Sequence, residues 1–353
     1  ASDSPDLSTV EDYVVEIDRE TGAVVWELDM KDLISQEDGQ SASMDSDGSE
    51  EADWFHNNGL AYDAENDLVL LSARHKDAIV AVNKEDKSLA WILGDPTGWD
   101  GVDQSYFFTP EGEDFEWFYA QHNVSILDNG DIALFDNGTA KVKRVDGDNR
   151  VSGDNVYSRA VVYQIDTENM TVSQVTEYGK ERGADWYSDW ISGVVSLDGT
   201  QDHLWITAGS HLHSDEENRS DYYPKDMFVQ GLTKTTHIDQ VDNGELSFEL
   251  TISGDTYNAL TYRSFRMPLY TEGKYDPSAV PEVLGSLGET SYEESSIDVS
   301  TTEALPDGWN FLLDGSKISV NGSFQTQTAA ADLLAGKMIL ISGESQRAYL
   351  LTQ

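Results

Sequence analysis

The chain has 353 residues and no cysteine, and its 66 Asp plus Glu against 22 Lys plus Arg leave a formal net charge of −44. That balance argues against nucleic acid as a partner, because phosphate contacts need a basic face, and the missing cysteines exclude disulfides and thiolate metal sites. An aromatic fraction of 10% argues against a disordered acidic chain, so the charge reads as the surface of a folded, salt-adapted protein or, alternatively, of one that binds divalent cations.

The first predicted element is the hairpin "YVVEIDRETGAVVWELD", two strands of alternating polarity around the turn "RETG". A long acidic loop follows, "SQEDGQSASMDSDGSEEADW". Next come two strand pairs, "GLAYDAENDLVLLSAR" and "AIVAVNKEDKSLAWILG", the second repeating the phrase of the opening hairpin. The order returns as "HNVSILDNGDIALFDNG" and "AVVYQIDTENMTVSQVTEYG". Between these lies "DGDNRVSGDN", which has the oxygen-rich composition of calcium loops without the EF-hand spacing and reads as a solvated loop. "ISGVVSLDGTQDHLWITAGS" and "TTHIDQVDNGELSFELTI" form another such unit, and "YNALTYRSFRMPLY" opens one more.

Repeated pairs of hairpins predict an all-β chain, a β-propeller of four-stranded antiparallel blades. Residues 1–275 supply half a blade, three full blades and the start of another, 276–306 read as a polar linker, and 307–353 as a small β-rich segment or terminal blade. The count falls short of a closed ring. The remaining strands are expected from the tail, from sequence outside this chain, or from a second copy or partner chain that completes the propeller. No apolar run approaches the roughly 20 residues of a membrane helix. The start "ASDSPDLS", without Met, fits a processed protein or a fragment. Sequons at Asn123, Asn137, Asn169, Asn218 and Asn321 are compatible with an exported glycoprotein.

"WFHNNGLAYDAENDLVLLSARHKDAIVAVNKEDKSLAWILG", "YAQHNVSILDNGDIALFDNG" and "VTEYGKERGADWYSDWISGVV", in that order, resemble the aryl-sulfate sulfotransferases, PAPS-independent enzymes of bacteria and archaea. The resemblance covers roughly residues 10–265. It implies a six-bladed propeller with its active site on the central axis, and export from the cytoplasm. The implied reaction moves a sulfuryl group from an aryl sulfate to a phenol through a sulfurylated histidine, with ping-pong kinetics, no cofactor and no metal.

Carried over by motif, His56 matches the strand-mouth histidine and His122 the "QH" histidine. The nucleophile falls at His211 in "ITAGSHLHS", with His213 as a neighbouring competitor. Where relatives carry an arginine after "FDNG" this chain has Lys141, and Arg144 lies further on. Lysine keeps the charge but lacks the planar fork of a guanidinium. Arg74 and His75 of "SARH" and Tyr157 and Arg159 of "VYSR" are expected at the substrate, as in the family, and Trp186 is a candidate lining of an aryl pocket.

The residue types suit the chemistry. Neutral imidazole is a nucleophile near pH 7, and cations and N–H donors stabilise charge on the equatorial oxygens. His56 or His122 is expected to donate to those oxygens or to protonate the departing phenolate. His203 and His237 read as structural and surface histidines. The imidazoles of "HLH" share a strand face and so form an alternative metal pair. The alternative function is a catalytically inactive propeller used for binding or as a surface component.

Overall fold

The computed structural model describes residues 12–41, 53–139, 141, 157–213, 233–254 and 259–266, with seven strands between 285 and 351. Arg144, the insertion "DGDNRVSGDN" and the side chain of His213 lie outside the described residues. The chain divides into two units, Ala1–Arg266 and Met267–Gln353.

The first unit opens with the hairpin β1 (Tyr13–Ile17) and β2 (Val24–Asp29). Three four-stranded antiparallel meanders follow. The first runs β3 (Asn57–Asp63), β4 (Leu68–Ala73), β5 (Ala78–Asn83) and β6 (Leu89–Gly94). A short strand β7 (Thr109–Glu111) precedes the second meander, β8 (His122–Ile126), β9 (Ile132–Asp136), β10 (Arg159–Asp166) and β11 (Thr171–Tyr178), and pairs in parallel with β11. The third runs β12 (Gly193–Ser196), β13 (His203–His213), β14 (Thr233–Asp242) and β15 (Glu245–Ile252).

Some of the acidic residues have a local job in these hairpins. Asp18, Asp63, Asp166 and Asp198 each accept backbone N–H groups from residues two or three ahead, closing the turns. Side-chain hydrogen bonds from Thr21, Asn169 and Thr200 first, and these backbone bonds second, hold the Asp18, Asp166 and Asp198 carboxyls below the ordinary aspartate range.

The strands with no polar face explain how the sheets stack. β4 and β9 are buried at every position, so each sends alternate residues into two cores. Val69 and Leu71 pack with Val80, Val14 and Leu28 of the hairpin side, whereas Leu68 and Leu70 pack with Ile132, Leu134 and Val161 of the next sheet. Ala133 and Phe135 face onward to Val194, Leu204 and Ile206. Full burial of each such aliphatic is worth about 1.5–3 kcal/mol. The stack ends in apolar faces that remain exposed: Val15, Ile17, Val24 and Val25 at one end, Leu246, Phe248, Leu250 and Ile252 of β15 at the other.

The first strands of the three sheets converge. Asn58 on β3 donates to the Gln121 carbonyl (2.7 Å), and Asn123 and Ser125 on β8 both donate to the Val194 carbonyl on β12 (2.8 Å each). A methyl group at Gly59 would come within 2.8 Å of the Asn123 Cα, so glycine permits this approach. The sequons at Asn123 and Asn137 therefore lie in buried backbone contacts and are no glycan acceptors in the folded chain.

The second unit holds two sheets, one of β16 (Gly285–Leu287), β17 (Ile297–Thr301) and β20 (Ser323–Thr326). The other has β18 (Trp309–Leu313), β19 (Ser316–Ser319), β21 (Met338–Ser342) and β22 (Ala348–Leu351). β16 and β17 fall within 276–306.

Candidate active site

The strand that follows His56 and the strands that carry His122 and His211 are each out of register beside the histidine. β3 shifts between Asn57 and Gly59, β8 between His122 and Ser125, and β13 between Ala208 and His211. His56 and Asn123 take left-handed backbone, with φ of 55° and 68°. Bulges of this kind bend a strand and redirect its side chains. At β13 the bulge is fixed by hydroxyls: Ser192 accepts the Gly209 N–H (3.1 Å) and Ser188 the Ser210 N–H (2.9 Å).

Three imidazoles come together. The His56 ring lies 4.6 Å from that of His75 and 6.5 Å from that of His122. Asp53, one turn before His56, binds His56 Nδ1 with its carboxylate and His75 Nδ1 with its backbone carbonyl. On the far side of His75, Arg74 Nη1 donates to Nε2 (2.6 Å), which makes that ring a neutral Nδ1–H tautomer. Asp53, His56 and His75 present ligand atoms within 4.8 Å of one another, close enough to share a metal ion. In the arrangement described, both Nδ1 atoms are engaged by Asp53.

His122 is buried, and both of its nitrogens have partners. Nδ1–H donates to Asn137 Oδ1 (2.8 Å) and Nε2 accepts the Ile191 N–H (3.2 Å). Burial first, then the charges of Arg74, His56 and Arg263, hold its pKa well below the ordinary histidine value, against the opposing Asn137 hydrogen bond. It is therefore neutral at pH 7, with its one N–H already used. The expected donor role toward a sulfuryl oxygen does not fit this geometry.

His211 is buried one step further along, and Asn137 and Ser188 connect it to His122. Asn137 Nδ2 donates to the carbonyls of Ser188 (2.7 Å) and Ile191 (3.0 Å), and Ser188 forms a backbone bridge with His211. His211 Nδ1 donates to the Tyr187 carbonyl (3.1 Å), which selects the tautomer whose basic nitrogen is Nε2. Its ring meets that of His237 edge-on at 5.4 Å. His237 is thus buried beside the candidate nucleophile rather than at the surface, whereas His203 is exposed between Asp198 and Asp242.

Four expected residues are placed elsewhere. Arg159 is fully buried in ion pairs with Asp136 and Glu177 (2.9 Å each) and with Glu116 (3.4 Å), so its fork holds the β9–β11 sheet together. Tyr157 donates to Glu116 (2.6 Å), which also pairs with Lys180 (2.7 Å). Lys141 sits over the Tyr157 ring, its Nζ 3.0 Å from the centroid, and burial lowers its pKa to about 8. Trp186 is core, packed against Phe135 and Tyr178 (5.6 Å each). A groove of about 510 Å³ along Asp63, Trp91 and Asp128 has no cation in its lining and suits an anion poorly.

The sequence reading missed Asp53, Asn137, His237 and Arg263. Asn137 stood inside the quoted "FDNG" phrase and Asp53 directly ahead of "WFH", so position carried a signal for both. Nothing local marked the other two.

Residues 2–263 match the family described as Arylsulfotransferase (ASST). Two similar proteins are each called arylsulfate sulfotransferase AssT. The one from Escherichia coli is 29% identical over 309 residues, covering 74% of this chain and 48% of that protein. The one from Lelliottia amnigena is 33% identical over 203 residues, covering 51% of this chain and 33% of that protein. The chain thus spans about half the length of these relatives or less. Among solved structures, Kuenenia stuttgartiensis hydrazine synthase aligns with 81% of this chain and 66% of its own at 12% identity, with a TM-score of 0.26 that carries no weight for the fold. Because the family match extends over most of the sequence and contains all the histidines assembled above, the chain belongs to the arylsulfotransferase (ASST) family.

Proposed function

We propose that the protein transfers a sulfuryl group from an aryl sulfate to a phenol through a sulfurylated His211. The observation that carries this reading is the buried His211 ring, oriented at a strand bulge by its Nδ1–H bond to the Tyr187 carbonyl, which makes Nε2 the basic nitrogen. Nε2 attacks sulfur in line, the S–O bond to the aryl group breaks, and its electron pair departs on the phenolate. His56, held through Nδ1 by Asp53, protonates that oxygen. In the second half-reaction the acceptor phenol gives its proton to His56, its oxygen attacks sulfur, and the N–S pair returns to Nε2. His122 orients Asn137 and the Ile191 turn. The charge of Arg74, at His75, acts on the same space.

In this reading the three meanders are blades of a propeller and the converging β3, β8 and β12 line its axis. The exposed apolar residues on the outer faces of β1–β2 and β15 support further blades on both sides. The family resemblance supports an exported enzyme, and the charge of −44 a salt-adapted one. Among the described residues no helix is long and apolar enough to cross a membrane.

The test is a chromogenic aryl sulfate offered with and without a phenol, across a range of salt. Phenol-dependent release supports transfer, and release without an acceptor beyond one equivalent indicates a sulfatase. No release in any salt supports the inactive binding propeller.

A further inference from the structure

Arg263 belongs to none of the motifs that carry the family resemblance, yet its surroundings are those of an anion receptor. The backbone around it is pinned to the site on both sides. Thr261 N–H donates to the Gly209 carbonyl (3.2 Å), in the bulge that aims His211, and the Tyr262 carbonyl accepts the Ser192 N–H (3.1 Å), next to the Ile191 that bonds His122. Ser264 N–H donates to Thr207 Oγ1 (3.0 Å). The side chain crosses over Gly193, where a methyl group would stand 3.4 Å from its Cγ, and reaches β3, donating Nη2–H to the Asn58 carbonyl. Its guanidinium lies 5.4 Å from the Tyr262 ring centre, and that ring meets His122 edge-on at 6.1 Å.

The charge pattern makes this residue stand out. In a chain with three acids for every base, several cations in or near the core have carboxylates, whereas the buried Lys76 is held by main-chain carbonyls. Arg159 has Asp136 and Glu177, Arg182 has Asp239, and Lys234 has Asp189. Arg263 pairs with no carboxylate among the described residues. Its Nε–H is buried without an acceptor, and a main-chain carbonyl is its hydrogen-bond partner. An uncompensated guanidinium in such a place is costly to fold unless an anion is to occupy it.

We propose that Arg263 is the cation that grips the sulfuryl oxygens, its Nε–H and the outward N–H of Nη bonding two oxygens of the sulfate monoester in the planar fork that Lys141 cannot offer. This rests on the sulfuryl-transfer reading and supplies the cation that the sequence assigned to Lys141.

Binding is tested with an aryl sulfonate, whose carbon–sulfur bond cannot be transferred, by calorimetry on the wild type and on Arg263→Gln, Arg263→Lys and Lys141→Gln. Arg263→Gln is expected to weaken sulfonate binding by about 10²-fold, and to slow the donor half-reaction similarly without changing the KM for phenol. Arg263→Lys should recover part of the binding and, with an unaltered circular dichroism spectrum, show that the fold survives. Loss of binding in Lys141→Gln with retention in Arg263→Gln would overturn the assignment. So would a wild type that transfers sulfuryl groups while Arg263→Gln does so equally well. A wild type that binds the sulfonate through Arg263 but turns over no aryl sulfate would keep the anion site and sink the transfer reading.

Discussion

At residue scale each ring nitrogen has a definable role. Asp53 is a positioning residue: it fixes the tautomer of His56 and leaves Nε2 for proton transfer. Asp53→Asn should lower kcat by about 10²-fold, shift the basic limb of the pH–rate profile and leave sulfonate binding intact, a pattern that pure loss of folding would not give. An unchanged profile would remove Asp53 from the mechanism. His122 gives a stability prediction with a definite sign. Its folded pKa lies below the ordinary 6.5, so below that pH the unfolded chain takes up a proton that the native state refuses. The contribution is present above about pH 6.5 and is lost as the pH falls. Asp239, pushed up to about 6 by burial, acts with the opposite sign, so the comparison must be differential. Between pH 7.5 and 5.5 the Tm of the wild type should fall more than that of His122→Gln, in which an amide can keep both bonds. Parallel melting curves would show that His122 is not the group responsible.

At element scale, bulges turn ordinary meander strands into a site. The meander strands were legible: period-2 alternation and Asp-capped turns marked the antiparallel hairpins in the order observed, since hairpin registry follows from local patterning, whereas β7 and its parallel pairing with β11 carried no such signal. The bulges were not legible, because a register shift leaves composition and spacing unchanged. In hindsight the pairs His56–Asn57 and His122–Asn123 mark two of them, and Asn123 takes the left-handed backbone that asparagine tolerates. His237 looked like an outer-hairpin residue, and only the pairing of β13 with β14 brings it to His211. Gly209 shows how little room the third bulge has, since a methyl group there would overlap the Thr261 carbonyl oxygen. Gly209→Ala should cost about 1–3 kcal/mol by overpacking, read as a lower denaturation midpoint. It should also lower activity at temperatures where the variant stays folded. Wild-type stability and activity in this variant would mean that the bulge can relax and does not aim His211.

At the scale of the whole molecule, charge and chemistry pull in opposite directions. A net charge of −44 repels an anionic donor and strains the folded state, whereas salt near 1 M screens charges beyond about 3 Å and leaves the buried cations at the site in place. Tm and turnover should therefore both rise with KCl and level off near molar concentrations; a steady decline from low salt upward would contradict the salt-adapted reading. The salt-adapted reading rests on composition alone, and motif order revealed the family. Chain tracing through space was needed to find which cations face His122, because Arg263 arrives from a segment more than a hundred residues away in sequence. The account as a whole stands on His211 as the atom carrier. Rapid mixing with an aryl sulfate in the absence of phenol, followed by alkaline quench and peptide mass spectrometry, should give one equivalent of released phenol and a sulfuryl adduct on His211 that a later phenol removes. Release of phenol with the adduct on another residue, or with none at all, would contradict it.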